Sequence, residues 1–183
     1  FAVSIVISAL LLNVVDRSVK QVKDEAMPYM MKAYELDVDI TKIGELLTDI
    51  CATHNTEGFK EAEKVVAAVK TNISAFKEMF VKENDTKSIK EIDELDKAFN
   101  KFYEDGKKLA QIYISKGLTE GNKLMPEFDK VREKLLQDVE SFQQGQIEEA
   151  KANLLQVEKA TTNVGITLFL SGFLSIALGI FIA

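Results

Sequence analysis

Tryptophan is absent from this chain, and proline, cysteine and histidine nearly so, at two, one and one residues. Each shortage closes a class of explanation. A single cysteine, Cys51, can build neither an internal disulfide nor a cysteine-rich metal site. It reads as a small buried apolar residue, with pairing between subunits as the other option. A single histidine, His54, leaves no Ser/His/Asp or Cys/His set at a recognisable spacing, and no glycine-rich phosphate loop or cluster of metal ligands stands elsewhere. No catalytic residue, metal site or resident cofactor is therefore expected. Clustered Lys and Arg are missing too, and the net charge is -6, which argues against nucleic acid as a partner. Proline-poor stretches rich in Glu, Lys, Ala and Leu favour helix almost throughout.

Charge is also missing from both ends. Every Lys, Arg, Asp and Glu falls between Asp16 and Lys159. Residues 161–183 are uncharged and mostly Leu, Ile, Phe, Gly and Ala. About 20 apolar residues span a bilayer, so this run reads as a transmembrane helix. Residues 1–15 are too short to span alone; they read as the end of a first transmembrane helix, or as a trimmed signal peptide. The sequence opens without Met inside one apolar run and stops inside another, so a longer protein carrying the output activity is expected. Gly165, Gly172 and Gly179 recur every seven residues, a stripe that lets membrane helices pack closely.

The middle, 16–160, is periodic. Leu12, Val15, Val19, Val22, Ala26, Tyr29, Ala33, Leu36, Ile40, Ile43, Leu47, Ile50 and His54 recur at alternating steps of three and four. Such a seam holds one helix face against a neighbour, and it predicts a helix running from the first apolar segment to about His54, locally opened at Pro28. Phe59 to Phe80 form a second seam, Ile92 to Tyr113 a third, and Leu124 to Leu168 a fourth that shifts phase near Gly145. Breaks fall at 55–58, 83–87 and 115–122. The pattern predicts an all-α, antiparallel up-down-up-down four-helix bundle whose first and last helices continue into the membrane.

One level near the 55–58 and 115–122 breaks collects polar residues: Thr48, Asp49, Thr53 and His54 on the first helix, Gly106, Lys107 and Tyr113 on the third. A carboxylate, an ammonium, a phenol and hydroxyls at one height can bind a small polar or anionic ligand. Asp49 and Lys107 can equally pair with each other, since buried charge needs a partner. Gly106 either lets a helix approach or leaves room for a ligand. His54 reads as a helix cap, a ligand contact, or an axial haem ligand opposite Met125.

Three stretches carry a family resemblance. They are Asp24 to Tyr29 with Glu35 to Asp39; Leu47 to His54 leading into Gly58 to Glu63; and Tyr103, Gly106, Lys107, Ala110, Tyr113 and Ile114 followed by Gly121, Asn122, Met125, Phe128 and Asp129. In these the chain resembles the extracytoplasmic four-helix-bundle sensor domain of bacterial methyl-accepting chemotaxis proteins. Cys51 stands where that pattern has a small hydroxyl residue. The resemblance implies a homodimer formed through the first helix, held in the bacterial inner membrane with 16–160 in the periplasm. It also implies a small-molecule ligand or a periplasmic binding protein as partner, and signalling through the last helix. Similar domains precede histidine kinases, and a haem or redox sensor is the remaining alternative.

Overall fold

The computed structural model describes residues 2–182; the side chains of 2–5, 175, 178, 179, 181 and 182 lie outside that description. Every element among the described residues is helical. Helix α1 is Ala2–Gln21, followed by a π-helical turn at Val22–Ala26 and then α2, Met27–Thr53. Helices α3, Glu57–Glu83, α4, Thr86–Lys116, and α5, Leu118–Ile182, complete the chain. Pro28 accounts for the π turn. It has no N–H to offer the carbonyl four residues back, and the Met27 N–H reaches the carbonyl of Val22 instead of following the α pattern.

The connections are short because their residues satisfy the exposed helix ends. His54, at φ 59°, closes α2 with its N–H on the Ile50 carbonyl at 2.9 Å, and Asn55 Oδ1 accepts from Glu57 N at 3.0 Å to open α3. Asn84, at φ 57°, ends α3, and the Asp85 carboxylate accepts from the Lys87 and Ser88 amides to start α4. The Ser88 hydroxyl on Asp85 and the Ser88 amide hold that carboxyl below the ordinary carboxylate range. The third connection is shorter than 115–122: only Gly117, at φ 81°, separates α4 from α5. Glycine alone takes that φ without strain, so the whole reversal fits in one residue.

The chain divides into two compact units. One is Met31–Gly145; the other contains the rest of the described chain, up to Met30 and from Gln146 onward. In the first, the expected seams form the core. Leu36, Ile40, Ile43, Leu47 and Ile50 of α2 are buried with Val69, Phe76 and Phe80 of α3. Every member of the third seam, Ile92 to Tyr113, is buried, and Phe128, Leu135 and Val139 come from α5. Phe102 stacks on Phe128 at 5.4 Å, and Phe76 meets Phe142 edge-on at 4.8 Å. Leu124 departs from its expected place and faces solvent, while Gly121 is buried beneath the Tyr113 ring.

In the second unit the seam is shifted. Leu12 and Val19 point outward, and the less exposed positions are Ser8, Leu11, Val15, Ser18 and Val22. Ser18, Val22 and Ala26 follow in two successive steps of four, one residue more than the heptad pattern allows; the π turn takes up the surplus. On α5, Leu154, Thr161 and Leu168 are exposed, and Gln146, Ala150, Asn153, Val157, Ala160, Val164 and Thr167 face inward. The inner face thus mixes Leu11 and valines with small and polar residues. Large apolar side chains lie outside, among them Leu10 at 62% exposure, Phe169 at 74% and Phe173 at 69%.

Among the described residues no helix is long and apolar enough to cross a membrane; the apolar run from Thr161 includes 175, 178, 179, 181 and 182, whose side chains lie outside the description, and 183. A Cβ at Gly165 or Gly172 would meet nothing within 4 Å, and Gly179 lies outside the described side chains.

Two glycine substitutions test this packing in opposite directions. A Cβ at Gly106 would come within 2.5 Å of Leu47 Cδ1 and 2.9 Å of Phe128 Cε2. Gly106→Ala is expected to cost roughly 1–3 kcal/mol in urea unfolding, from overpacking. At exposed Gly145 a Cβ meets nothing within 4 Å. There Gly145→Ala should stabilise by roughly 0.5–1 kcal/mol, because alanine loses less backbone entropy in a helix.

Candidate functional site

The polar residues expected to converge near the α2–α3 and α4–α5 connections do not form a cavity. Thr48 and Asp49 are exposed, and the Thr48 hydroxyl donates to the Gly44 carbonyl of its own helix at 2.8 Å. Thr53 Oγ1 donates to the Asp49 carbonyl at 2.8 Å and accepts from Asn55 N, so it serves the end of α2. His54 is exposed and lies past the last turn, which removes it from the core phase the periodicity gave it. Met125, its partner in the haem reading, is half-buried on α5. Gly106 is filled by Leu47 and Phe128, so it provides helix approach and leaves no room for a ligand.

Lys107 and Tyr113 are committed elsewhere. Lys107 pairs with Glu104 at 2.6 Å rather than with Asp49, and its ammonium lies 4.6 Å over the Tyr103 ring. The Glu104 hydrogen bond raises the Lys107 pKa. The Tyr113 ring covers Gly121, and its hydroxyl donates to Asn122 Oδ1 at 2.6 Å, tying α4 to α5 beside their one-residue connection. Burial raises the Tyr113 pKa, with Cys51 and Asp129 adding to it. Cys51 is itself buried, and burial pushes its thiol to about 11, so the unreactive apolar reading suits it. Among the described residues one buried side-chain polar atom lacks a partner: the hydroxyl of Tyr103.

A larger feature lies between α2 and α5. A groove of 570 Å³ is lined by Asp37 and Thr41 from α2 and by Asp129, Arg132, Glu133, Leu136, Gln137, Glu140 and Gln143 from α5. Gly44 positions its cation. A Cβ at Gly44 would lie 3.1 Å from Arg132 Nε, so the missing side chain is what seats the guanidinium against α2. Neither Arg132 nor the four carboxylates takes part in an ion pair among the described residues. Elsewhere some surface charges pair, as in Lys77–Asp93 at 2.5 Å and Lys123–Glu120 at 2.5 Å, while others, such as Glu45, Glu61 and Lys97, are likewise in no ion pair. A groove with one planar cationic fork, several carboxylates, a hydroxyl and two amides can hold a small polar molecule by charge-assisted hydrogen bonds.

Sequence periodicity misses these residues because they flank the seams rather than occupy them. Two signals were available: Arg132 is one of only two arginines in the chain, and Gly44 sits in the core-facing stripe of α2. No family model, curated protein or solved structure matches the chain.

The capping role of His54 has a direct check. A left-handed residue other than glycine costs about 1 kcal/mol. His54→Gly is therefore expected to raise stability by roughly that amount in thermal or urea unfolding. A clear loss of stability would mean that the imidazole holds something in place.

Proposed function

We propose that this chain is the ligand-sensing and transmembrane-signalling part of a bacterial chemoreceptor, non-catalytic and working as a homodimer. In this reading, Met31–Gly145 is an antiparallel up-down-up-down bundle in the periplasm, and α1 and the end of α5 enter the inner membrane. The large apolar side chains exposed on the unit that contains α1 and the C-terminal part of α5 carry the proposal. In the uncharged stretches, α1 and the end of α5 turn Ser8, Leu11, Val15, Val164 and Thr167 inward and Leu10, Phe169 and Phe173 outward, an outer face arranged for an apolar surround. In water an apolar face of that extent marks a contact surface rather than a finished exterior.

Three further observations support it. Contacts within the bundle pair ascending with descending residue numbers: Asn72 with Lys32 and Gly58 with Ile50, Lys70 with Asp96 and Lys77 with Asp93, Phe102 with Phe128 and Tyr113 with Asn122. Helix α5 is uninterrupted from Leu118 to Ile182, so it belongs to both units. The groove between α2 and α5 offers a place where a ligand can favour one packing of these two helices over another, which is what a sensor requires.

Membrane insertion is the part to test first. Expressed in bacteria, the full chain should stay with the membrane pellet through alkaline carbonate washing and leave it only in detergent. Release into the carbonate supernatant would overturn the proposal.

A further inference from the structure

The groove between α2 and α5 gathers charged side chains from two helices. Four carboxylates and one guanidinium line it, a formal sum of -3, and none is in an ion pair. Their order along α5 is informative. Arg132 stands near one end, with Leu136 and Gln137 next, and Glu140 eight residues on. At 1.5 Å per residue, Arg132 and Glu140 are about 12 Å apart along the helix. From α2, Gly44 lies against Arg132. On the antiparallel arrangement proposed above, Asp37, seven residues earlier, comes level with Glu140, and Thr41 falls between the two ends.

We infer that this groove binds a short peptide with free termini, its C-terminal carboxylate on Arg132 and its N-terminal ammonium between Asp37 and Glu140. An extended chain spans about 3.3–3.6 Å per residue, so three to four residues fill the distance. The planar guanidinium matches a carboxylate in two-pronged fashion. Between the ends, the Thr41 hydroxyl and the Gln137 amide supply the donors and acceptors that a peptide backbone requires, and Leu136 gives an apolar contact. A lone amino acid reaches only one end. The negative formal sum, with Asp129 and Glu133 beside Arg132, favours peptides with a basic side chain over acidic ones.

The inference rests on the sensor reading for its purpose and on the antiparallel arrangement for its register, but its test is independent of membrane insertion. Purified full-length chain in detergent is titrated calorimetrically with trialanine, its C-terminal amide, its N-acetyl form and free alanine. Trialanine should bind. Amidation, acetylation and truncation to the single amino acid should each weaken binding by about tenfold or more, the loss of one charge-assisted contact. Arg132→Gln should reproduce the effect of amidation, and Arg132→Lys should restore part of the affinity, with thermal melting reporting whether each variant stays folded. The blocked peptides test the site without any variant. Equal affinity for free and blocked trialanine, or no binding of trialanine at millimolar concentration, overturns the inference. Peptide binding by a chain that carbonate releases would keep the groove and discard the receptor; retention without binding would do the reverse.

Discussion

Leu47 and Phe128 meet over Gly106, and the bundle of Met31–Gly145 is arranged around that meeting. Three helices contribute one residue each, and the absence of a Cβ on α4 lets the other two close on it. The Phe102–Phe128 stack continues the contact along α4, and Tyr113 lies on Gly121 further along the same pair. A helix that approaches this closely leaves no space for a ligand at that level. The polar residues around it have therefore become caps and clamps: Thr53 and His54 close α2, Tyr113 ties to Asn122, and Lys107 folds onto Glu104 and the Tyr103 ring.

The two units differ in how closely burial follows the apolar pattern. In the bundle, burial follows hydrophobicity, and the seam from Ile92 to Tyr113 was fully legible because each apolar residue on it has an apolar neighbour to meet. In the other unit a rule that sends apolar residues inward is right for Val15, Val22, Val157 and Val164 but also selects Leu12, Val19, Leu154 and Leu168, which face out. The helical class and the connections near 55–58 and 83–87 could be read from the sequence alone, since breaks in period and turn-forming residues coincide there. The length of the last connection could not, because nothing in a 3.6-residue period says that Gly117 alone can reverse the chain.

The groove was illegible for a different reason. Asp37, Thr41, Arg132 and Glu140 come from two helices far apart in sequence and sit on the flanks of their stripes, where polar residues are ordinary. What distinguishes them is their convergence on one groove, and that exists only in three dimensions. Some surface Lys and Glu elsewhere find partners three or four residues along their own helix, as Lys87 finds Glu91 and Lys151 finds Glu148. Arg132 is turned toward Gly44 instead, away from such a partner.

The π turn at Val22–Ala26 carries one residue beyond what the flanking pattern uses, and it confines that surplus to five positions. Insertions and deletions are consequently unequal along this part of the chain. Loss of one residue inside 22–26 would remove the surplus and leave both flanking faces in register, with Pro28 still without a donor for the carbonyl four residues back. Loss of one residue elsewhere in α1 or α2 would swing every side chain on one side of it by about 100° and expose the seam. The turn is thus the single stretch where the length of this helix is free to drift.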